Sequence, residues 1–355
     1  MSGKYSTRHV FGRAATALNA KFLLFCGNGK KSWYSSPRLN HLSICLDSLL
    51  LMGYFDLQIN GYGGIDFNQD ELTADGLYAA CKSLTRDGVD GILATFITEN
   101  VDTVCRRIKR LLRLREAEPL ARQLIVGLHI EGPFISQQPG YRGAHPLDAI
   151  VPADTAIGDQ LLDAGEGLVR LFTLAPECDA DFKVIKFLKR NGVAVAAGHT
   201  DATLDQLRAA VDAGLTMATH LGNGCPMVMN RHDNIIQRIL SLSESITPCF
   251  IADGVHVPFF ALKNYLAAAG IDRAVIVTDA MAAAGMGPGR YRMSRWELEV
   301  GDDLAVWAPG RTHLVGSAGT MQRSQANLMQ HLQLTKQQCQ QMLVDNPKRC
   351  LATTN

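Results

Sequence analysis

Val193-Ala-Val-Ala-Ala-Gly-His199, then Thr200-Asp-Ala-Thr203, then the stretch from Leu204 to Ala213, spell out one strand, one cap and one helix. The short apolar run reads as a buried strand. The threonine and aspartate oxygens that follow can accept the free amides of a helix's first turn. His199 stands at the junction, where the strand ends. Leu124-Ile-Val-Gly-Leu-His-Ile130 runs in the same way into Glu131, Leu215-Thr-Met-Ala-Thr219 into His220, and Ala274-Val-Ile-Val-Thr278 into Asp279. In a parallel barrel every strand delivers its last residue to one face, so four groups far apart in sequence converge there. Two histidines and a carboxylate hold a zinc-like ion with a position open to water, and a further carboxylate can move that water's proton. A lone histidine at a strand end is as often simply packed and hydrogen-bonded. Four polar groups at four strand ends are a site.

From Gly53 outward, apolar runs alternate with helical patterns, which is the signature of repeated βα units. Strands are expected at residues 54–60, 91–98, 124–130 and 168–174. The next two end at His199 and His220, the seventh covers 248–252, and the eighth ends at Asp279. Leu77, Ala80, Cys81 and Leu84 recur at helical spacing in a helix over 73–86, and others are read over 101–114, 180–190 and 204–213. The fold class is α/β, a (β/α)8 barrel of the metal-dependent hydrolase type. A β-hairpin excursion is expected near 290–316 and closing helices over 320–345.

A chain of 355 residues with 47% hydrophobic content has room for one such barrel and little else. Its formal net charge is +1, but residues 1–46 hold seven lysines and arginines and no acid, so the remainder is about six negative by the same counting. Nothing in that balance suggests a nucleic-acid partner. The nine cysteines form no Cys-x-x-Cys pair, which fits reduced thiols in the cytoplasm. No run approaches the roughly eighteen apolar residues that a membrane span needs. Residues 1–51 have the basic, Ser-containing composition of a transit peptide, yet are expected to stand outside the fold as a disordered extension or an untranslated segment. Met52 is then the start of a barrel domain over 52–355.

Gln58 and Asn60, in Asp56-Leu-Gln-Ile-Asn-Gly61, share a parity on the first strand and face the barrel mouth. Two-metal hydrolases of barrel fold carry histidines at such a pair, and amides are poor zinc ligands by comparison. Taken with His129-Ile-Glu-Gly-Pro-Phe134, Ala175-Pro-Glu177, Gly198-His-Thr-Asp-Ala-Thr203, Thr219-His-Leu221, Asp253-Gly-Val-His-Val257, Val277-Thr-Asp-Ala280 and Leu314-Val-Gly-Ser317, this segment gives the chain its likeness. The sequence resembles the amidohydrolase superfamily and, within it, the N-acetylglucosamine-6-phosphate deacetylase family.

That resemblance implies a hydrolase of linear amide C–N bonds. Glu131, His199 and His220 would hold one divalent ion, zinc by preference, with Gln58 and Asn60 where a second site would otherwise form. Asp279 would take a proton from the attacking water and return it to the departing amine, and His145 would meet the acetyl carbonyl. It further implies substrate contacts from Ala144, Asn223, Gly224, Leu314, Val315 and Gly316, a phosphate pairing from Arg231, and a homodimer in which His256 reaches the phosphate of the neighbouring subunit's substrate. His129 either orients the ligands or is a hydrogen-bonded core histidine, and His232 and Asp233 either line the pocket or belong to a solvated loop. Two stretches depart from the family. Gly222-Asn-Gly-Cys-Pro226 replaces an Asn-Ala-Met pattern after His-Leu, and the small β-sandwich that flanks the family's barrel has no recognisable counterpart. Hydrolysis of another N-acetylated sugar or N-acyl amine, and a silent barrel kept as a binding protein, are the competing readings.

Overall fold

The structure, a computed structural model, describes residues 53–293, 296–302, 304–308 and 314–352. The extension expected at 1–51 lies outside them. Eight parallel strands follow one another around a ring: β1 Tyr54–Ile59, β2 Val89–Ile97, β3 Ile125–Glu131, β4 Val169–Leu174, β5 Ala194–Ala197, β6 Met217–Ala218, β7 Thr247–Ile251 and β8 Val275–Val277. The helices are α1 Ala74–Arg86, α2 Val101–Ala117, α3 Pro119–Leu124, α4 Thr155–Ala164, α5 Lys183–Arg190, α6 Leu204–Ala213, α7 Ile235–Ser241 and α8 Phe259–Ala269. The caps are those the sequence offers: Thr73 Oγ1 accepts the Gly76 amide on α1, and Thr203 with Gln206 makes a reciprocal capping box on α6. The fifth helix begins at Lys183 rather than at Ala180, because Asp181 and Phe182 sit at φ 58° and 54° and interrupt it.

Alternation sorts the strand side chains into two cores. Phe55, Leu57, Leu93, Leu171, Ala194, Ala196, Met217, Val275 and Val277 fill the barrel, while Val195, Ala197 and Ile276 face the helix layer. The seam between β1 and β8 has no ladder. Ile59 bridges Ala280, the Asn60 amide donates to Ala280 O at 2.7 Å, and the buried Asp56 carboxylate accepts from Thr278 Oγ1 at 2.5 Å, Thr278 N at 3.3 Å and Gln58 N at 3.1 Å. Burial pushes that carboxyl up to about 7, against the pull of these hydrogen bonds.

After β8 the excursion is larger than one hairpin. It is a four-stranded antiparallel sheet of β9 Gly289–Met293, β10 Trp296–Val300, β11 Ala305–Trp307 and β12 Leu314–Ser317. Its last strand returns to the barrel rim, where Ser317 N donates to Asp279 O and Met281 N to Ser317 O, both at 2.9 Å. The closing helices, α9 Met321–Leu332, α10 Lys336–Gln340 and α11 Asn346–Ala352, run beyond the expected residue 345. A π-helical turn, Gln341–Asp345, joins α10 to α11 in one helical run, and Pro347 follows just after that widened turn. Asn346 Nδ2 donates to Ala274 O at 2.6 Å, and Leu351 packs into the barrel's inner core. Among the described residues no helix is long and apolar enough to cross a membrane.

Candidate metal and catalytic site

Glu131 closes β3, and His199, His220 and Asp279 each stand two residues beyond the last residue of β5, β6 and β8. The last three occupy left-handed backbone, at φ 53°, 28° and 49°. Such a conformation costs a non-glycine residue on the order of 1–3 kcal/mol, and that cost is borne where a side chain must turn into a site.

Glu131 Oε1 lies 2.9 Å from His220 Nε2 and 3.2 Å from His199 Nε2, and the two Nε2 atoms are 3.1 Å apart. His199 Nδ1 donates to Tyr141 O at 2.9 Å, which leaves its Nε2 as a bare lone pair. Three electron-rich atoms so close together are unfavourable until a cation or an added proton lies among them. Ligands at zinc bond lengths of about 2.0–2.1 Å stand roughly 3.3 Å apart on a tetrahedron's edge, so the trio fits a divalent ion. Among the described residues it is the group of His, Cys, Asp or Glu that can take one.

Burial would raise the Glu131 carboxyl, but His199 and His220, when their rings are protonated, hold it well below the usual range by hydrogen bonding and charge. Burial would likewise lower His220, and Glu131 outweighs it and raises the imidazole. Asp279 moves the other way: burial, then the Glu131 charge, push its carboxyl up to about 6. A carboxyl near 6 can accept and release a proton close to neutrality.

The amides lie where the parity argument puts them. Gln58 Nε2 donates to Glu131 Oε2 and to Asp279 Oδ1, both at 3.1 Å, and Asn60 Nδ2 donates to Asp279 Oδ1 at 2.8 Å. Thr219 Oγ1 donates to Gln58 Oε1 at 2.8 Å and so fixes which way the Gln58 amide faces, a part the sequence did not reveal. N–H groups therefore fill the space between the two carboxylates.

The His145 ring is buried 4.3 Å from the His199 ring, and burial takes its imidazole down to about 3, so it is neutral here. Ala144 packs on the apolar core of the four-stranded sheet. Asn223 bonds back to His220 O through its amide and its Nδ2, at 2.9 and 3.2 Å. Gly224, at φ 59°, approaches so closely that a Cβ would stand 2.9 Å from His199 Nδ1. Leu314, Val315 and Gly316 lie on β12, and a Cβ on Gly316 would be 3.2 Å from Asp279 O. His256 Nδ1 is 2.6 Å from Asp253 Oδ2. Arg231 is exposed, as are His232 and Asp233, so those two belong to a solvated loop. His129 is a core histidine: inside the barrel its ring nitrogens meet Thr95 Oγ1 at 3.4 Å and Thr173 Oγ1 at 2.8 Å. Glu177, from Ala175-Pro-Glu177, accepts from the Thr200 hydroxyl and from Asp201 N, holding the turn that follows His199.

A barrel with glutamate, two histidines and an aspartate at its strand ends defines a metal-dependent amidohydrolase. No protein-family model matches the chain. It is 33% identical over 284 residues to N-acetylglucosamine-6-phosphate deacetylase of Homo sapiens, covering 78% of this chain and 68% of that protein. It is 31% identical over 304 residues to N-acetylgalactosamine-6-phosphate deacetylase of Escherichia coli O157:H7, covering 85% and 78%. The solved structure of a single-site variant of the N-acetylglucosamine-6-phosphate deacetylase from Mycobacterium smegmatis, in complex with N-acetyl-D-glucosamine-6-phosphate, superposes with a TM-score of 0.76 at 32% identity, over 85% of this chain and 77% of that one. The chain belongs to the N-acetylglucosamine-6-phosphate deacetylase family.

Proposed function

We propose that this enzyme hydrolyses the acetamide of N-acetylglucosamine 6-phosphate to acetate and glucosamine 6-phosphate. The observation that carries the reading is the Glu131, His199 and His220 trio with Asp279 held beside it by two amide donors. Glu131, His199 and His220 would hold a single divalent ion, and two imidazoles with one carboxylate suit zinc. When bound, the ion supplies a Lewis acid for the acetamide carbonyl and the attacking water. Asp279 takes the proton from that water and returns it to the amine as the C–N bond breaks, base first and acid second. His145, neutral and buried, is the donor for the developing oxyanion. Ala144, Asn223, Gly224, Leu314, Val315 and Gly316 line the sugar's place, and Arg231 pairs with the phosphate through its forked donors.

Residues 52–355 form the catalytic unit in this reading. A homodimer brings His256 to the partner's substrate phosphate, and the cytosol, where thiols stay reduced, suits the chain's cysteines. The second reading is the galactosamine epimer. It is favoured by the altered Gly222-Asn-Gly-Cys-Pro226 loop and by the likeness to the Escherichia coli protein of that name. Acetate release by zinc-loaded enzyme, measured on both 6-phosphates and on plain N-acetylglucosamine, tests both. Glucosamine 6-phosphate formation as the fastest reaction supports the proposal. Faster turnover of the unphosphorylated sugar overturns it.

A further inference from the structure

Arg231 stands exposed on the loop that leads into α7. Seven residues on, Arg238 of α7 is nearly enclosed, with 13% of its side chain exposed. On one side its Nε donates to Asp233 Oδ1 at 2.6 Å and its Nη2 to Asp233 O at 3.3 Å. On the other, Nη1 donates to Asp201 Oδ1 and Ala202 O, each at 3.0 Å, and to Asp201 O at 3.3 Å. Asp201 is itself held, since its amide donates to Glu177 Oε1 at 2.7 Å and the preceding Thr200 hydroxyl bonds the other Glu177 oxygen. Thr200 and Asp201 directly follow His199. Asn230 Oδ1 accepts the amides of His232 and Asp233, both at 3.1 Å, so Arg231 sits inside a closed turn and moves with Asp233. One guanidinium thus joins the Arg231 turn to the His199 turn.

We propose that Arg238 is a positioning residue for recognition of the substrate's phosphate: by tying Asp233 to Asp201 it fixes the loop from which Arg231 binds, at a set place relative to His199. The inference rests on the reading that Arg231 meets the phosphate. A free arginine on a loose loop loses rotamer and loop freedom on binding, and a loop held in advance has already given up much of it. Only a planar fork spans both partners, so a lysine at 238 cannot substitute.

The experiment is steady-state kinetics with the full-length, zinc-loaded enzyme on N-acetylglucosamine 6-phosphate and on N-acetylglucosamine, with zinc content measured in parallel. Asp233→Ala, Arg238→Met and Arg238→Lys should each raise KM for the phosphorylated sugar about ten-fold with kcat changed less than about three-fold, and zinc content should hold. In an Arg231→Ala background the Asp233→Ala effect should shrink below about two-fold, because the loop no longer carries the group it positions. Full additivity of the two effects overturns the proposal, as does a fall in kcat and zinc content in place of the KM rise. An Arg231→Ala variant with unchanged KM sinks the phosphate reading itself, which separates the two failures. Asp233 is 71% exposed, so its truncation keeps the test open if Arg238→Met does not fold.

Discussion

Gln58→Glu puts the single-metal character of the site to a direct test. The change replaces an amide that lies 3.1 Å from both Glu131 Oε2 and Asp279 Oδ1 with a third carboxylate of the same shape. At an effective dielectric constant of about 20, each such pair of charges at that distance repels by about 5 kcal/mol, more than the buried mouth can carry unrelieved. Relief comes from a second cation or from a proton. With zinc in excess, the variant should therefore bind close to twice the zinc of the parent, read by elemental analysis after gel filtration. With zinc limiting, it should take up a proton, and the acid limb of its pH–rate profile should rise by more than about one pH unit. Unchanged zinc content together with an unmoved acid limb would refute the reasoning, because it would mean that the amide N–H groups do not keep the carboxylates apart or a second ion out.

Two further perturbations probe the proton shuttle and the barrel floor. Asp279→Asn should keep its zinc and lose about 10²–10⁴-fold in kcat, since Gln58 and Asn60 can still donate to the remaining carbonyl oxygen while the base is gone; turnover at the parent rate would exclude the shuttle. In the parent, the deprotonated carboxylate is the working form, so kcat/KM should fall as pH drops through about 6 or, with the cation bound nearby and favouring the anion, somewhat below. Leu351→Ala removes a buried side chain, 7% exposed, from the barrel's inner core and should cost about 2–4 kcal/mol in urea unfolding with an unchanged m-value. A shift under about 0.5 kcal/mol would mean that α11 does not seal the floor.

Much of this was legible because the barrel writes its architecture locally. Apolar runs ending in Glu131, His199, His220 and Asp279 announce strands whose last residues share a face, and Thr203 announces the helix that follows. What stayed hidden depends on the third dimension or on segments too short to show a period. Ala305–Trp307 and Leu314–Ser317 are three and four residues long, so only the alternating Trp296–Val300 stood out and the sheet read as one hairpin. The helical run from Lys336 passes through Pro347 by way of a π-helical turn, which no local pattern announces. Thr219 and Glu177 stand in segments that carry the family likeness but give them no part, Arg238 stands in none, and what all three do follows only from which oxygen or nitrogen each one meets. The left-handed backbone at His199, His220 and Asp279 is equally silent, since histidine and aspartate tolerate that region without requiring it.

The first strand shows why parity alone was an incomplete guide to the mouth. Leu57 belongs to the barrel's inner core, and the very next residue, Gln58, also reaches inward to Glu131 and Asp279. Strict alternation forbids both, because neighbours on a strand face opposite ways. The register between β1 and β2 shifts between Asp56 and Ile59, and this irregularity re-aims the chain so that Leu57 fills the core while Gln58 and Asn60 face the site. The same few residues close the ring, through Asp56 on Thr278 and Asn60 N on Ala280 O. Asp279 lies between those two attachment points, so the contacts that seal the seam also set its carboxylate against its amide donors. Barrel closure and the placing of amide donors between Glu131 and Asp279 are thus two consequences of one bulged strand, and a substitution that straightened it would disturb both.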